Sequence, residues 1–273
     1  MNNKTISFQS AKLLNHLNQQ NLEFFSIQDA QSILLDSKKG TVIELISSMI
    51  SRGLLMRIKD GLYHVIPYER DCTSYFPNWH LTAQAMANPK QFYIGFYSAL
   101  DLYGLITQPS QIEQVIIVER VQPKLQKVGD ITFDFITLSK SHFFGFKNQW
   151  IDDFNKVSFS DLEKTIIDCL YIPRYAGGIT EISKAIYKCR DQINTGRLFN
   201  YLERFDVQAV NKRLGFILQH LELLSDFRQE LAKTIKVGYI TLEPSLPKSG
   251  RHHSTWKIFD NLDISTVTHT LNT

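Results

Sequence analysis

Between residues 5 and 66 the apolar positions recur first with the period of a helix and then with that of a strand. Ile6, Phe8, Leu13, Leu14 and Leu17 fit a helix from Thr5 to Gln20 that packs beneath its neighbours. Ser26 stands where it can cap a short second helix reaching about Leu35. Asp36 with Ser37 then supplies a turn and a fresh N-cap for a third helix ending near Arg52. On that third helix Val42, Leu45, Ile46 and Met49 line one face, so Thr41, Glu44, Ser47 and Ser48 point elsewhere, with Lys38 and Lys39 in the first turn. Gly53 ends it. Leu54 to Ile58, a turn at Lys59-Asp60-Gly61, and Leu62 to Ile66 read as a β-hairpin, because Asp-Gly between two apolar-rich runs suits a tight hairpin turn. Three helices followed by a hairpin is the order of a winged helix-turn-helix, with the third helix as recognition helix and the hairpin as wing.

Beyond Pro67 the pattern changes. Glu69 to Pro77 has neither period and reads as a linker, which puts a domain boundary near Thr73: a winged helix over residues 1–72 and a second domain over 73–273. The second domain opens with an aromatic-rich entry at Phe92 and a helix that stops at Gly104. Strands are expected at Gln114 to Glu119, Ile131 to Leu138, Phe143 to Phe146 and Val157 to Phe159, with Gly129-Asp130 as a turn. Helices dominate afterwards. Ser160 and Glu163 have capping-box spacing for a helix to about Tyr171. Further helices fit Thr180 to Cys189, Thr195 to Phe205, Val207 to Leu223 and Asp226 to Ile235. Two late strands, Tyr239 to Leu242 and Thr255 to Phe259, bracket a loop from Pro244 to Arg251. The expected fold class is α+β: an N-terminal winged helix-turn-helix, then a mixed α/β domain with a small sheet and a helical C-terminal part.

The 273 residues are long for one domain and comfortable for two, and 43% hydrophobic with 21% charged describes an ordinary folded chain. No apolar run approaches the roughly 20 residues needed to span a bilayer, and Met1-Asn2-Asn3-Lys4 does not lead into a signal-peptide core. The three cysteines, Cys72, Cys169 and Cys189, form neither a disulfide framework nor a metal-ligand spacing. A cytoplasmic protein with reduced thiols, no cofactor and no membrane attachment is the expectation. From Ser37 to Gly61 the cations Lys38, Lys39, Arg52, Arg57 and Lys59 face only Glu44 and Asp60, a local excess equal to the +3 of the whole chain. Cations near a groove neutralise phosphates and release counterions, while Thr41, Ser47 and Ser48 are of a length to reach base edges. A second basic region, Glu181 to Arg213, holds seven cations against four acids and reads either as an extended footprint or as the outer face of three helices.

An enzyme should show its constellation. No Gly-rich phosphate loop, nucleophile elbow or paired histidine ligands occur, and the adjacent His252-His253 read as a surface loop pair. Glu119, Asp130 and Asp134 fall on or beside neighbouring strands, as nuclease carboxylates do, but Lys124 and Lys127 lie in what reads as the connecting loop. The solvent face of a half-exposed sheet explains the same letters. The alternatives to DNA binding are a winged helix that docks a protein or senses a ligand and, behind that, a metal-dependent nuclease.

The layout resembles the AbiEi-type antitoxins of type IV toxin-antitoxin systems, which serve in abortive infection, a phage defence. The resemblance covers nearly the whole chain. It rests on Lys59-Asp60-Gly61-Leu62-Tyr63 in the wing, the segment from Tyr93-Ile94-Gly95-Phe96-Tyr97 through Tyr103-Gly104-Leu105, the run Asp161-Leu162-Glu163-Lys164-Thr165-Ile166-Ile167-Asp168, and Trp256-Lys257-Ile258. The family pattern often has a histidine where this chain has Tyr103. The resemblance implies a non-enzymatic repressor that binds double-stranded operator DNA, typically at inverted repeats, before its own two-gene operon. It implies a C-terminal domain that counteracts a nucleotidyltransferase-like toxin, often without a stable complex. Carried onto this sequence, the DNA-binding role falls on Ser37, Lys38, Lys39, Thr41, Ser48, Arg57 and Lys59; no residue is singled out for the antitoxic role.

Overall fold

In the computed structural model, which describes residues 4–35, 37–106 and 108–262, the chain has an α+β fold. It divides into two units, one made of Met1–Lys90 with Gln126–Thr132 and the other of Gln91–Leu125 with Phe133–Thr273. Residues 1–3 and Asp36, on which part of the sequence reading fell, lie outside the described residues.

In the first unit, Ser7 caps α1 (Phe8–Gln19) by accepting the Ser10 amide, so the helix starts three residues later than Thr5. A three-residue strand, β1 (Phe24–Ser26), runs straight into α2 (Ile27–Ile33), where Ser26 and Asp29 form a reciprocal capping box. Helix α3 (Lys39–Ser51) begins at Lys38, which makes no side-chain cap bond; Ser37 is not the cap that the spacing suggested. The hairpin forms as read, β2 (Leu55–Lys59) and β3 (Leu62–Val65), with Gly61 at φ +76 in its turn. β1 pairs with β3 to give a three-stranded antiparallel sheet in the order β1-β3-β2. Leu13, Leu17, Ala30, Leu34, Val42, Ile46 and Met49 fill the core between the three helices.

The unit does not stop near Thr73. It continues through turns into α4 (Trp79–Ala87), capped by Asn78, which buries Thr82, Ala83, Met86 and Ala87. This helix has too few large apolar residues to stand out in the sequence.

The second unit carries β4 (Phe92–Ile94), α5 (Phe96–Leu102) and β5 (Ile112–Ile117). Then come β6 (Leu125–Val128), where a connecting loop was expected around Lys127, and β7 (Ile131–Thr137). The turn between them belongs to the first unit. The aromatic run at Phe143 to Phe146 is not itself a strand. A short 3-10 turn (Lys140–His142) precedes it, Phe143 and Phe144 pack inward, and β8 starts at Phe146 and runs to Trp150. With β9 (Lys156–Ser160) these complete a six-stranded sheet in the order β6-β7-β5-β4-β9-β8, larger than the small sheet expected and mixed, since β4 pairs parallel with β9 and antiparallel with β5.

Helix α6 (Leu162–Tyr171) is buried at every position from Leu162 to Leu170. Its cap is Asp161, which accepts the Lys164 amide, and the capping box expected at Ser160 does not form. Ser160 ends β9 with its hydroxyl on Thr165, 2.7 Å away, and Glu163 instead accepts the Asn194 amide at 2.8 Å. Around α6 pack α7 (Gly178–Cys189), α8 (Thr195–Phe205) and α9 (Gln208–His220), and α10 (Ser225–Lys233) packs on α9. A small sheet of β10 (Ile240–Thr241), β11 (Arg251–His253) and β12 (Ile258–Asp260) closes the unit, with Trp256 lying on Gly215 of α9. His252 and His253 therefore sit on a strand and not in a loop, and their rings have different neighbours: His252 packs on Phe259, His253 on Phe216. No helix among the described residues is long and apolar enough to cross a membrane.

Candidate nucleic-acid interface

Helix α3 is amphipathic in the way a recognition helix requires. Val42, Ile46 and Met49 are buried, and the remaining surface presents Lys38, Lys39, Gly40, Thr41, Ile43, Glu44, Ser47 and Ser48 to solvent, with Ser37 half-buried beside them. Lys38 lies at the N-cap and Lys39 in the first turn, so both ammonium groups stand at the amino end of the helix with its free backbone N–H groups. Thr41 and Ser48 are exposed seven positions apart, two turns along the same side.

Three cations counted toward the local charge are engaged elsewhere in the unit. Arg52 staples α1 to α3: its Nη1 donates to the Thr5 carbonyl at 2.6 Å, Nη2 to Ser10 Oγ at 3.0 Å and Nε to the Ser48 carbonyl at 3.0 Å. Arg57 pairs with Asp60 across the hairpin end. Lys59 points into its own unit, its ammonium donating to the Met86 carbonyl at 2.7 Å near the end of α4. Burial, reinforced by the charge of Lys90, holds the Lys59 pKa below its usual value. The candidate surface thus keeps Lys38 and Lys39 as its uncommitted cations among the seven predicted residues. Arg57 is present with its charge locally balanced, and Lys59 is withdrawn.

The second basic region does not form one face. Lys212 and Arg213 are buried: Lys212 donates to the Gly238 carbonyl at 2.6 Å, and Arg213 to the carbonyls of Leu170 at 2.8 Å and Leu242 at 3.1 Å. Burial lowers the Arg213 pKa to about 10. Lys184 is tied to Glu181 and Arg197 to Glu163. Lys212 and Arg213 thus satisfy helix and loop carbonyls, and Lys184 and Arg197 are paired with carboxylates.

The carboxylates weighed for a nuclease are also dispersed in role. Asp134 is nearly buried with the Lys124 ammonium 2.9 Å from Oδ1, and Lys124 also donates to the Tyr175 hydroxyl at 2.7 Å. Asp130 is exposed in the turn between β6 and β7, and Glu119 lies past the end of β5. No three His, Cys, Asp or Glu side chains group as a metal set among the described residues. The cluster that sequence reading missed is Lys164, Asp168 and Tyr93, all at 0% exposure inside the second unit. Four-residue spacing on a helix marks Lys164 and Asp168 as an ordinary surface pair, and no local signal distinguishes the buried case.

No protein-family model matches the chain, and no curated protein matches it. Among solved structures it is similar to the RV2827C protein from Mycobacterium tuberculosis, with a TM-score of 0.71 over 100% of this chain and 97% of that chain, at 11% sequence identity. At that identity the likeness is one of backbone architecture. The chain therefore shares its fold from end to end with the mycobacterial protein, and the side chains that define a site must be argued from this sequence alone.

Proposed function

We propose that the first unit is a winged helix that binds double-stranded DNA through the exposed face of α3, and that the protein is a cytoplasmic repressor of its own operon. The single observation that supports this is the division of α3: one face is locked into a three-helix core while the other offers Lys38, Lys39, Thr41, Ser47 and Ser48 beside a hairpin. A rigid helix with cations at its amino end and hydroxyls along it suits phosphate anchoring at one end and base contact along the groove. On the resemblance to AbiEi-type antitoxins, the second unit counteracts a nucleotidyltransferase-like toxin by binding or regulation and not by catalysis.

The test is binding of the full chain to the DNA upstream of its own gene as a function of salt. Each phosphate contact contributes about 0.9 to the log–log slope. Replacing Lys38 and Lys39 together by Ala is expected to flatten the slope by about one to two and to weaken binding on every DNA sequence. Arg52→Ala, Arg52 being a staple between helices, leaves the slope where it was. A slope unchanged by the double replacement overturns the assignment of α3. The antitoxic half fails if co-expression does not relieve growth arrest by the toxin encoded beside it.

A further inference from the structure

The outer side of the small sheet formed by β10, β12 and β11 gathers rings and cations in one place. Thr241, Phe259 and His252 form one row across it, since Thr241 pairs with Phe259 and Phe259 with His252. The alternate residues Leu242 and Ile258 face inward and are 0% exposed in the core of the second unit. Tyr239, one residue before β10, joins the row: its ring centroid lies 5.4 Å from His252 and 5.2 Å from Phe259, and those two are 4.3 Å apart. The ring planes are inclined by 43°, 52° and 89°, so the three make a shallow notch and not a flat plate. Tyr239 and His252 are exposed there, with Phe259 half-buried between them.

The charge around the notch is positive. From Lys236 to Lys257 the cations Lys236, Lys248, Arg251 and Lys257 meet one carboxylate, Glu243. That carboxylate is buried and engaged by the Ile179 amide at 2.9 Å, the Ser245 amide at 3.0 Å and the Ser245 hydroxyl at 2.7 Å. Lys236 lies 3.7 Å from Asp206, and Arg251 stands opposite Asp260 on the inner side of the sheet. Lys248 and Lys257 have no carboxylate partner among the described residues. Their ammonium groups lie over the rings of Phe259 at 4.5 Å and Tyr239 at 5.7 Å. At a solvent-exposed site such a contact is weak enough to be exchanged for a phosphate. The Lys257 charge also reaches Lys212, whose pKa it lowers behind burial as the main cause. With those two ring faces taken by ammonium groups, His252 and the exposed part of Tyr239 remain for stacking. Rings for a base beside cations for its phosphates suit an unpaired strand. A duplex is excluded from such a site, because its base faces are already stacked on one another.

We propose that this notch binds single-stranded nucleic acid, with a base stacked on His252 and Tyr239 and the adjoining phosphates on Lys248 and Lys257. The proposal is independent of the DNA-binding reading of α3. Three labelled probes share a charged backbone and differ in their bases: octauridylate, octathymidylate, and an abasic deoxyribose-phosphate octamer. Each is titrated into the full chain while fluorescence anisotropy and the ring resonances of His252 are followed. Saturable binding of a pyrimidine octamer with a shift at His252 is expected, and the abasic octamer binds about tenfold more weakly or less. Tyr239→Ala with His252→Ala lowers affinity for the pyrimidine octamers about tenfold or more, and the melting temperature holds because both side chains are exposed. Lys248→Gln with Lys257→Asn, asparagine being suited to the φ of +52 at that position, flattens the log–log salt slope by about 1.4, at about 0.7 per phosphate of a single strand. Equal affinity for the abasic octamer, affinity unchanged by the ring variant, or an unmoved His252 resonance overturns the proposal. So does octamer binding that is abolished by Lys38→Ala with Lys39→Ala and untouched by the ring variant, which assigns the strand to α3. A chain that binds the octamers through these rings but binds no duplex refutes the repressor reading alone.

Discussion

Replacing Asp168 while leaving Lys164 in place should destabilise the second unit by about 3–5 kcal/mol, more than most single substitutions. Both side chains have 0% exposure. The Lys164 ammonium pairs with Asp168 Oδ1 and donates to the Tyr93 hydroxyl at 3.1 Å, and that hydroxyl donates to Asp168 Oδ2 at 3.0 Å. The rings of Tyr93, Phe144 and Phe205 surround the ammonium at 5.4, 5.4 and 5.1 Å. Burial drives the Asp168 pKa up and the Lys164 pKa down, and each partner's charge opposes that drift in the other. Asp168→Leu deletes the main partner of an ammonium that has no path to water. The expected cost corresponds to a fall in melting temperature of roughly 10 °C, at about 2–4 °C per kcal/mol for a domain of this size. Lys164→Met strands a carboxylate in the same way. The double variant removes both charges from an aromatic box and should lie within about 1 kcal/mol of the native protein, or above it. Urea denaturation of all four proteins measures the coupling. Single replacements that cost under about 1 kcal/mol, or a double variant as unstable as the sum of the singles, would refute the claim that the pair survives by mutual compensation.

Two further outcomes follow from the same reasoning. Burial lowers the His64 pKa from 6.5 to about 4, so on acidification the unfolded chain takes up this proton first. The stability linked to His64 is complete above about pH 6.5 and is lost as pH falls toward 4, by at most roughly 3 kcal/mol. Melting temperatures of the native protein and His64→Gln against pH should converge toward acid, and parallel curves would remove His64 as the cause. Gly215→Ala drives a methyl group into the ring of Trp256, which is 2% exposed and held by Nε1 to Gln219 Oε1 at 2.6 Å. Overpacking of about 1–3 kcal/mol outweighs the roughly 1 kcal/mol that alanine contributes to a helix. At Gly40 a Cβ meets nothing within 4 Å, so Gly40→Ala should stabilise by up to about 1 kcal/mol. Denaturation midpoints that move the same way for both glycines would contradict this contrast.

Much of the first unit was legible because its signals are local. The Asp60-Gly61 turn, the spacing of Val42, Ile46 and Met49, and the cap at Ser26 each act within one or two turns of chain, and the structure has all three. β1 was invisible because a three-residue strand has no period to detect. At the start of α6, adjacent Ser160 and Asp161 both can cap, and the choice was made by β9, which claims Ser160 as its last residue. The partners of the predicted cations were not legible for one physical reason. A lysine or arginine announces its charge in the sequence but not its acceptor, and the acceptors of Arg52, Lys59, Lys212 and Arg213 include backbone carbonyls 26 or more residues distant. A cleft in the first unit is lined by Glu23, His64, Glu69 and Tyr75 from separate stretches, so no motif could have announced it.

The hairpin turn spanning Gln126–Thr132 belongs to the first unit although 35 residues of the second, Gln91–Leu125, come between. The backbone leaves one folding neighbourhood, returns briefly and departs again. The amino-terminal module is therefore not a cassette that a single recombination event could transplant whole into another gene. A graft ending at Lys90 would abandon seven of its residues in the donor, and a lineage shuffling this protein would have to inherit both neighbourhoods together.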